Sequence, residues 1–384
     1  MDLGFSKEDE AFRAEIRDWM ESNLTGRFAR LRNRGGPGDE HSLVAERMEW
    51  ERHLAAANWT CVGWPVEHGG RGLPLTQAVI FHEEYARASA PARVSIIGEE
   101  LLGPTLIAFG TPDQQARFLP PIRNVTELWC QGYSEPGAGS DLASVATRAT
   151  LDGNHWVITG QKIWTSLAHV ADWCFVLART EPGSTRGRGL SYLLVPMHQP
   201  GVTVRPIRQL TGTSEFNEVF FDRARTDAAH VLGEPGDGWQ VAKATLALER
   251  GAAMLGLQVG FRRELADLIE VARRTGAGTD PLLRDKLARA WIGLEAVRAY
   301  ALDTLGGPND RAEASVLKIL WSRWHQALGE LAMEILGAPS MTAQEDLDEW
   351  QRLFLFTRAE TIYGGSDEIQ RNIIATRALG LPRP

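Results

Sequence analysis

The spacing of apolar residues predicts helices over roughly the first 125 positions of the chain. Near the start, apolar residues recur close to the helical period at Phe12, Ile16, Trp19 and Leu24. Ser6 followed by Asp9 is typical of a helix start, and Thr111 begins a TPDQ sequence that supplies a capping hydroxyl, a proline and a glutamine. Further helices are predicted at 44–57, 76–87 and 96–109.

From about residue 128 to residue 231 the pattern changes to short runs rich in β-branched and aromatic residues. The predicted strands lie at 156–159, 173–178, 190–195, 202–206 and 217–221. Turn-forming sequences separate them at hairpin spacing, which predicts a small antiparallel barrel or sandwich. Since no helices alternate with these strands, the chain lacks the βαβ unit of a Rossmann dinucleotide site.

After the sequence GEPGDG at 233–238 the helical period returns over long stretches. Helices are predicted at 239–274, 281–305 and 312–336, with a closing stretch at 359–379, and their length favours an antiparallel bundle. The expected fold class is therefore α+β. The expected domains are an N-terminal helical domain at 1–125, a middle β domain at 126–235 and a C-terminal four-helix bundle at 236–384.

Composition narrows the possible functions. The 384 residues carry a net charge of -8, which argues against the broad basic surface of a nucleic-acid-binding protein. Cys61, Cys130 and Cys174 are far apart in sequence, so neither a zinc site nor a disulfide framework is indicated, and no metal is expected. We find no apolar signal segment and no run of 18 or more apolar residues, and we expect a cytoplasmic protein without a membrane span.

The stretch WCQGYSEPGAGSD at 129–141 has the composition of an anion-binding loop. Pro136 bars a helix, while Gly137 and Gly139 permit positive φ, so that successive N–H groups could turn inward around a phosphate. Ser140 adds a hydroxyl group. A surface turn is the alternative interpretation, because a single glycine-rich loop is a weak motif.

About twenty-five residues later, the sequence GQKIWTS at 160–166 places an indole and a hydroxyl on a second strand. Together the two motifs resemble the acyl-CoA dehydrogenase family, flavoenzymes with a Ser/Thr-Glu-Pro-x-x-Gly-Ser-Asp turn followed by a Gly-Gln-Lys-x-Trp-x-Thr/Ser strand. The resemblance covers nearly the whole chain and implies FAD as cofactor. It implies that Trp164 lies against the isoalloxazine ring and Ser166 donates toward flavin N5. The full set of implied cofactor-binding residues is Tyr133, Ser134, Gly139, Ser140, Trp164 and Ser166.

The resemblance also implies a reaction, the α,β-dehydrogenation of an acyl-CoA thioester, which needs a base for the α-proton. In much of the family this base is the Glu of an Ile-Tyr-Glu-Gly-Thr sequence, but here the matching position is Gly364. Its backbone N–H would still serve as a donor to the thioester carbonyl. A minority of the family, including isovaleryl-CoA and long-chain enzymes, carries the base as a Glu just before an Arg, which here is Glu249 before Arg250. Arg250 and Ser140 are the implied substrate-binding residues.

The residues around Glu249 agree with a role as base. Its helix face carries small or apolar neighbours that leave room for a ligand, and burial would raise the carboxyl pKa toward that of a useful base. The competing interpretation is a solvated helical glutamate, the commoner fate of any Glu taken alone.

Two departures from the family concern the side of FAD that a neighbouring subunit supplies. The usual Arg-x-x-Phe-Gly is replaced by RRTGAG at 273–278, and Gln-Ile-x-Gly-Gly by EILGA at 334–338. We therefore expect either a hetero-oligomer with a related subunit or a homo-oligomer in which Arg273, Arg274 or Arg284 takes over the missing arginine.

The sequence thus predicts an FAD-dependent acyl-CoA dehydrogenase that passes electrons to an electron-transferring flavoprotein. The base on the first bundle helix favours branched or bulky acyl groups, steroid side chains among them. Two alternatives stay open: a flavin monooxygenase or oxidase on the same fold, and a non-catalytic subunit of a hetero-oligomeric dehydrogenase.

Overall fold

The computed structural model describes residues 5–248, 253–305, 311–342 and 346–382. Internal contacts divide the chain into two compact units, each described by itself below. Unit 1 comprises Met1–Gly38, Pro74–Ala90 and Arg250–Pro384, and unit 2 comprises Asp39–Leu73 and Pro91–Glu249. The three domain limits expected from the sequence stay a prediction.

The α-helices are α1 (Lys7–Asn23), α2 (Val44–Ala56), α3 (Leu75–Arg87), α4 (Gly103–Phe109), α5 (Pro112–Arg123), α6 (Gly238–Leu248), α7 (Ala253–Thr275), α8 (Pro281–Leu305), α9 (Arg311–Leu336), α10 (Glu349–Phe356) and α11 (Asp367–Ile373). The strands are β1 (Trp129–Gly132), β2 (Arg148–Asp152), β3 (His155–Ser166), β4 (Trp173–Arg179), β5 (Leu190–Pro196), β6 (Val202–Pro206), β7 (Phe216–Asp227) and β8 (Val231–Leu232). The expected order of a helical region, a β region and a second helical region is confirmed.

Two helix starts are fixed by the side chains that the sequence analysis identified. Ser6 accepts a hydrogen bond from the backbone N–H of Asp9, whose carboxylate accepts one from the backbone N–H of Ser6 in return. Thr111 and Gln114 make the same reciprocal pair at the start of α5. Both pairs satisfy backbone donors that a helix start otherwise leaves unbonded, which explains why these starts were predicted correctly.

In unit 2, the strands form one mostly antiparallel sheet in the order β6-β7-β3-β2-β4-β5-β8, and β1 is added beside β4. The β1–β4 pair is parallel, with Trp129 opposite Trp173 and Cys130 opposite Cys174. The expected antiparallel character of the sheet is confirmed in the main, and the parallel β1–β4 pair was not predicted. A parallel pair needs a long crossover, and residues 133–172 of the chain provide one.

The parallel pair in unit 2 is held by aromatic packing. The Trp129 and Trp173 rings stack with centroids 5.5 Å apart, and Phe118 of α5 packs edge-on against both. Phe175 and Tyr192 stack at 5.4 Å deeper in the same core. Aromatic pairs of this geometry stabilise a fold by about 0.5–1.5 kcal/mol beyond the contribution of the area they bury. The packing therefore fixes the start of β1, the strand that leads into the 133–140 loop.

Unit 1 is built on a core shared by α3, α7, α8, α9 and α10. Phe261 of α7 lies against Trp321 and His325 of α9, with ring centroids 6.1 and 4.3 Å apart. The closing stretch at 359–379, expected as one helix, is instead a series of turns, the short helix α11 and a π-helical turn at Ile374–Ala378. Among the described helices, none has the length and apolar character that crossing a membrane requires.

Candidate active site

The loop after β1 in unit 2 contains a tight turn at its tip. The backbone N–H of Glu135 donates to the carbonyl of Ala138 and the N–H of Ala138 donates back, each at 3.0 Å. Neither Gly137 nor Gly139 has positive φ, so the expected left-handed nest is wrong. Both glycines instead leave open space beside the backbone, since an added Cβ would meet nothing within 4 Å. The glycines therefore give a ligand close access to the main chain.

The far side of this turn presents unbonded donors. Gly139 and Ser140 are exposed, and their N–H groups have no acceptor within the described residues. Backbone donors that find no internal acceptor are ordinarily satisfied by water or by a ligand. Tyr133, by contrast, is buried and packs edge-on against Phe175, so it supports the loop from below.

A buried ion pair anchors the near side of the turn. The ammonium group of Lys162 on β3 donates to the Glu135 carboxylate at 2.8 Å and to the carbonyls of Tyr133 at 3.0 Å and Leu177 at 2.8 Å. The Glu135 carboxylate also accepts from the N–H groups of Ala146 and Thr147, at 2.6 and 2.9 Å. Burial raises the pKa of the Glu135 carboxyl, but the charge and hydrogen bond of Lys162, together with the hydrogen bonds from Ala146 and Thr147, bring it below its ordinary value. Glu135 is therefore an ionised carboxylate.

Glu135 and Lys162 lie in the two sequence motifs, but neither residue was predicted to have a role. A signal was present, since the first motif contains the acidic Glu135, Lys162 is the one basic residue of the second motif, and opposite charges in two buried segments are expected to pair. Gly160 of the second motif also has a packing reason. A Cβ there would lie 2.3 Å from Oγ1 of Thr147 and 2.7 Å from its Cα, so only glycine lets β3 pass β2 this closely.

Trp164 stands in a strained and exposed position on β3. Its φ is +59°, and its side chain is 57% exposed although it is a large aromatic residue. The pairing of β3 with β7 is interrupted between Lys162 and Thr165, and this irregularity carries Trp164 outward. Positive φ for a bulky residue is rare and tends to be kept at functional sites, so the backbone is shaped to present this indole.

The residues next to Trp164 hold the strand from the other side. Asn217 on β7 donates from its amide to the carbonyl of Thr165 at 3.0 Å. Ser166 pairs with Phe216, whose ring lies edge-on to that of Trp164 at 6.1 Å. The Thr165 hydroxyl is fully buried and has no hydrogen-bond partner among the described residues. β3 thus carries the indole of Trp164 and the hydroxyl of Ser166, and their roles toward a cofactor stay predictions.

A cavity of about 560 Å³ lies elsewhere in unit 2, between the loop after β4 and the start of α6. Its charged lining residues are Glu181, Arg188, Asp237 and Lys243. Trp239 forms one wall and lies so close to Gly187 that a Cβ there would be 2.5 Å from the indole. The two cations of this cavity are matched by two carboxylates, so the charge of the lining does not specify an anionic ligand.

Gly364 belongs to unit 1 and forms part of an exposed turn just before α11. Gly364 and Gly365 have φ of +63° and +90°, and the side-chain amide of Gln370 donates to both of their carbonyls, at 2.9 and 3.3 Å. Within the described part of this unit, the N–H of Gly364 has no acceptor. An exposed donor on a turn clamped in this way suits a carbonyl oxygen of a ligand.

The expected base, Glu249, and the neighbouring Arg250 lie outside the described residues. Glu100 is half-buried in the π-helical turn Ile97–Leu102, and burial raises the pKa of its carboxyl.

Comparison with known proteins decides the family. Models of the acyl-CoA dehydrogenase N-terminal, middle and C-terminal domains match residues 6–125, 130–224 and 236–379. The chain is 66% identical over 377 residues to acyl-CoA dehydrogenase IpdE1 of Mycobacterium tuberculosis, covering 97% of this chain and 98% of that protein. The chain belongs to the acyl-CoA dehydrogenase family.

Other relatives agree. Acyl-CoA dehydrogenase IpdE1 of Mycolicibacterium smegmatis is 60% identical over 387 residues, with 98% of each chain covered. A solved structure titled the Tcur3481-Tcur3483 steroid ACAD matches over 100% of both chains with a TM-score of 0.88 and 30% identity. The ChsE4-ChsE5 complex from Mycobacterium tuberculosis matches over 100% of both chains with a TM-score of 0.85 and 29% identity.

The family assignment confirms the predicted fold class and the resemblance on which it rested. It makes the protein an oxidoreductase that acts on acyl-CoA, in a family of flavoproteins. The individual site residues stay predictions.

Proposed function

We propose that this protein is an FAD-dependent acyl-CoA dehydrogenase that introduces an α,β double bond into a bulky, polycyclic acyl-CoA thioester and passes electrons to an electron-transferring flavoprotein. The observation that carries the proposal is the strained, outward-facing Trp164 beside a loop with unbonded backbone donors, in a chain of this family.

The residues present in unit 2 fit a flavin nucleotide. We assign the N–H groups of Gly139 and Ser140 to the pyrophosphate, since both donors are exposed and the space beside the two loop glycines is open. We assign Trp164 to the flat ring system, because its indole is already presented at the surface. Tyr133 and Ser134 support these groups through the backbone. When bound, FAD accepts a hydride from the β-carbon of the acyl group.

The chain's own residues handle the proton and the thioester oxygen. We propose that Glu249 removes the α-proton and that the Gly364 N–H donates to the thioester carbonyl, where negative charge develops. Since residue 364 has no side chain, it cannot compete with Glu249 for the proton.

The solved relative titled a steroid ACAD supports a substrate derived from a steroid, in agreement with the preference for bulky groups expected from the sequence. A panel of acyl-CoAs with straight, branched and steroid-derived chains should therefore bleach the flavin absorbance band at rates that differ by chain type. Bleaching by the straight chains alone would contradict the steroid assignment.

The decisive experiment is the rate of flavin reduction under anaerobic single-turnover conditions. Glu249→Gln keeps the size of the side chain and removes its basicity, so the rate should fall by on the order of 10²-fold or more while acyl-CoA affinity is nearly retained. Glu8→Gln, on the exposed face of α1, is a matched control. Reduction of Glu249→Gln at the wild-type rate would remove Glu249 from the mechanism.

The electron acceptor is tested on the reduced protein. Reoxidation should be much faster with an electron-transferring flavoprotein than with O₂ alone. Rapid reoxidation by O₂ would favour an oxidase instead.

We further propose that the working protein is a hetero-oligomer with a related subunit. Two segments expected to complete the FAD site of a neighbouring subunit depart from the family sequence, at 273–278 and 334–338. Loss of one charge-assisted hydrogen bond costs roughly 1.5–3 kcal/mol, so losing two or three would weaken FAD binding by several powers of ten. The ChsE4-ChsE5 relative was solved as a complex of two different chains, which supports this proposal.

The subunit composition can be tested by expressing the chain alone and measuring its mass and its flavin titration. The expected result is poor FAD retention that improves when a related subunit is co-expressed. A stable homo-oligomer with one FAD per chain would refute the hetero-oligomer and would direct attention to Arg273, Arg274 and Arg284 as replacements.

A further inference from the structure

The helix bundle of unit 1 contains a buried cluster of charges outside the site described above. His325 on α9 lies between two carboxylates: its Nδ1 is 2.9 Å from Glu360 Oε1 and its Nε2 is 2.8 Å from Glu264 Oε2. His325 and Glu360 are almost completely buried, while Glu264 is partly exposed. Removing each charged group from water costs several kcal/mol, so a buried charge needs partners that offset this cost.

A lysine completes the cluster. Lys318, two turns before His325 on α9, is buried and donates to the backbone carbonyl of Glu360. Its ammonium nitrogen lies 4.9 Å from the centre of the Trp321 ring and 5.4 Å from that of Tyr363. Residue 360 is therefore held twice by α9, through its carboxylate and through its backbone.

The segment held in this way leads directly into the turn of Gly364. From residue 360 the chain makes two turns, with the N–H groups of Ile362 and Tyr363 bonded to the carbonyl of Ala359, at 2.9 and 3.0 Å. A Cβ added to Gly364 would lie 3.6 Å from Cε of Lys318, so the lysine side chain lies directly beneath this glycine. Gln370 holds the carbonyls of the turn from the other side.

The two glycines make such a support necessary. Glycine pays the largest conformational entropy of any residue when it is fixed, and residues 364 and 365 carry no side chain that could pack. A backbone donor must be held in place to stabilise a developing charge. The support must then come from neighbouring side chains.

We propose that Lys318, His325 and Glu360 are positioning residues that hold the Gly364 turn in its productive conformation. This inference rests on the proposed role of the Gly364 N–H, and none of the three side chains is assigned a contact with substrate.

The charge states are consistent with the arrangement. Burial alone would lower the pKa of His325, but Glu264 and Glu360 raise it to about 10, so it is an imidazolium at neutral pH. Burial lowers the pKa of Lys318 to about 8 against the opposing effects of Asp367 and Glu360. The groups facing Lys318 are thus Glu360, Tyr363 and Asp367 from the C-terminal segment, and Arg323 forms its own ion pair with Asp367 at 2.7 Å.

The test compares Lys318→Met and His325→Gln with wild type in the holoenzyme, together with any partner subunit that it needs. Amide hydrogen exchange should speed up by about 10-fold or more in the peptide spanning 361–365 and stay within about twofold in the peptides of α8. The kcat for flavin reduction should fall by about 10-fold while KM changes less than about threefold, because the donor is misplaced while most of the binding surface is intact. Lys7→Met and His155→Gln, both at exposed positions, are the matched controls.

A pH series on wild type needs no variant and covers the case in which a substitution prevents folding. Burial lowers the pKa of Lys318 to about 8, below that of a solvated lysine, so an opening of the turn that exposes Lys318 becomes more costly as pH rises above about 8. Protection of the 361–365 peptide, corrected for the intrinsic exchange rate, should therefore increase above that pH. In Lys318→Met this step should be absent.

The outcomes separate the two proposals. Unchanged protection of the turn together with unchanged kcat would overturn the positioning role, and so would an equal loss of protection throughout unit 1, which indicates general destabilisation. If wild type shows no flavin reduction with any acyl-CoA, the proposed function fails, and hydrogen exchange alone then decides whether the cluster holds the turn.

Discussion

Removing the ammonium group of Lys162 should destabilise unit 2 strongly. In Lys162→Met the Glu135 carboxylate would keep two backbone donors but lose its counter-charge, and the carbonyls of Tyr133 and Leu177 would lose their donor. Breaking a buried ion pair by deleting one partner costs about 3–5 kcal/mol. At roughly 2–4 °C per kcal/mol for a cooperative unit of this size, the melting temperature should fall by about 10 °C.

Urea unfolding followed by tryptophan fluorescence measures this loss, and a double-mutant cycle assigns it to the pair. Glu135→Gln in the Lys162→Met background removes the uncompensated charge, so the double variant should be more stable than the sum of the single losses predicts by at least about 1 kcal/mol. Arg225→Met, which removes an exposed pair with Asp152, is the control and should cost no more than about 1 kcal/mol.

The same variant has a functional consequence, because Tyr133 and Glu135 flank the start of the loop assigned to FAD. FAD should dissociate more readily from Lys162→Met than from Arg225→Met at equal protein concentration. A loss of stability below about 1 kcal/mol for Lys162→Met, or strict additivity in the cycle, would refute the idea that this pair anchors the loop.

Three further variants test separate parts of the structure. Ser140→Pro removes an exposed backbone N–H, so the Kd for FAD should rise by about 10-fold while the rate of flavin reduction at saturating FAD changes little; equal Kd values in a flavin titration would contradict this. Gly160→Ala should cost about 1–3 kcal/mol in urea unfolding, because its methyl group would overlap Thr147, and a neutral result would show that β2 shifts freely. Burial would raise the pKa of the Glu84 carboxyl, but hydrogen bonds from three arginines lower it to about 2. The contribution of Glu84 to the free energy of unfolding is therefore present above about pH 4.5 and is lost as pH falls toward 2. In Glu84→Gln the decline in unfolding free energy between about pH 6 and pH 3 should therefore be smaller by about 2 kcal/mol, and an unchanged pH profile would be evidence against it.

Local chemistry explains which parts of the fold the sequence predicted well. The starts of α1 and α5 were predicted because each capping pair lies within four consecutive residues. Strand positions in unit 2 followed from runs of β-branched and aromatic residues between turn sequences. The parallel β1–β4 pair could not be foreseen, because its partners are over forty residues apart and no local pattern specifies which strand β1 joins.

The closing stretch at 359–379 is a part of the fold that local sequence predicted wrongly. Ile362 and Tyr363 continue an apolar pattern that favours a helix, and the sequence analysis extended one through 359–379. Two consecutive glycines with positive φ end that pattern, and the side chain of Gln370 holds them in a turn. Glycine alone costs only about 1 kcal/mol in a helix, so the contacts made by distant residues, rather than the local sequence, decide the outcome.

Burial of Lys162 and of Lys318 was not predicted from the sequence, and the reason is the same for both. A lysine in a strand or helix is ordinarily exposed, so Lys162 and Lys318 were not considered core residues. Each is nevertheless buried on a regular element and donates to backbone carbonyls of an irregular segment, the 133–135 chain in unit 2 and residue 360 in unit 1. A carbonyl carries no sequence signal, because every residue has one, and the pairing is therefore visible only in three dimensions.

This chemistry leads to a final prediction that depends on shape rather than charge. The Lys162 ammonium has three N–H donors, and three acceptors surround it, at 2.8, 2.8 and 3.0 Å. Lys162→Arg keeps the positive charge but places a larger, planar group with five donors in a fully buried site shaped for three, so donors would be left without well-placed acceptors, at about 1–3 kcal/mol each. We expect Lys162→Arg to lower the free energy of unfolding by about 2 kcal/mol or more in urea. Stability within about 0.5 kcal/mol of wild type would mean that charge alone, and not the match of donors to acceptors, holds the loop.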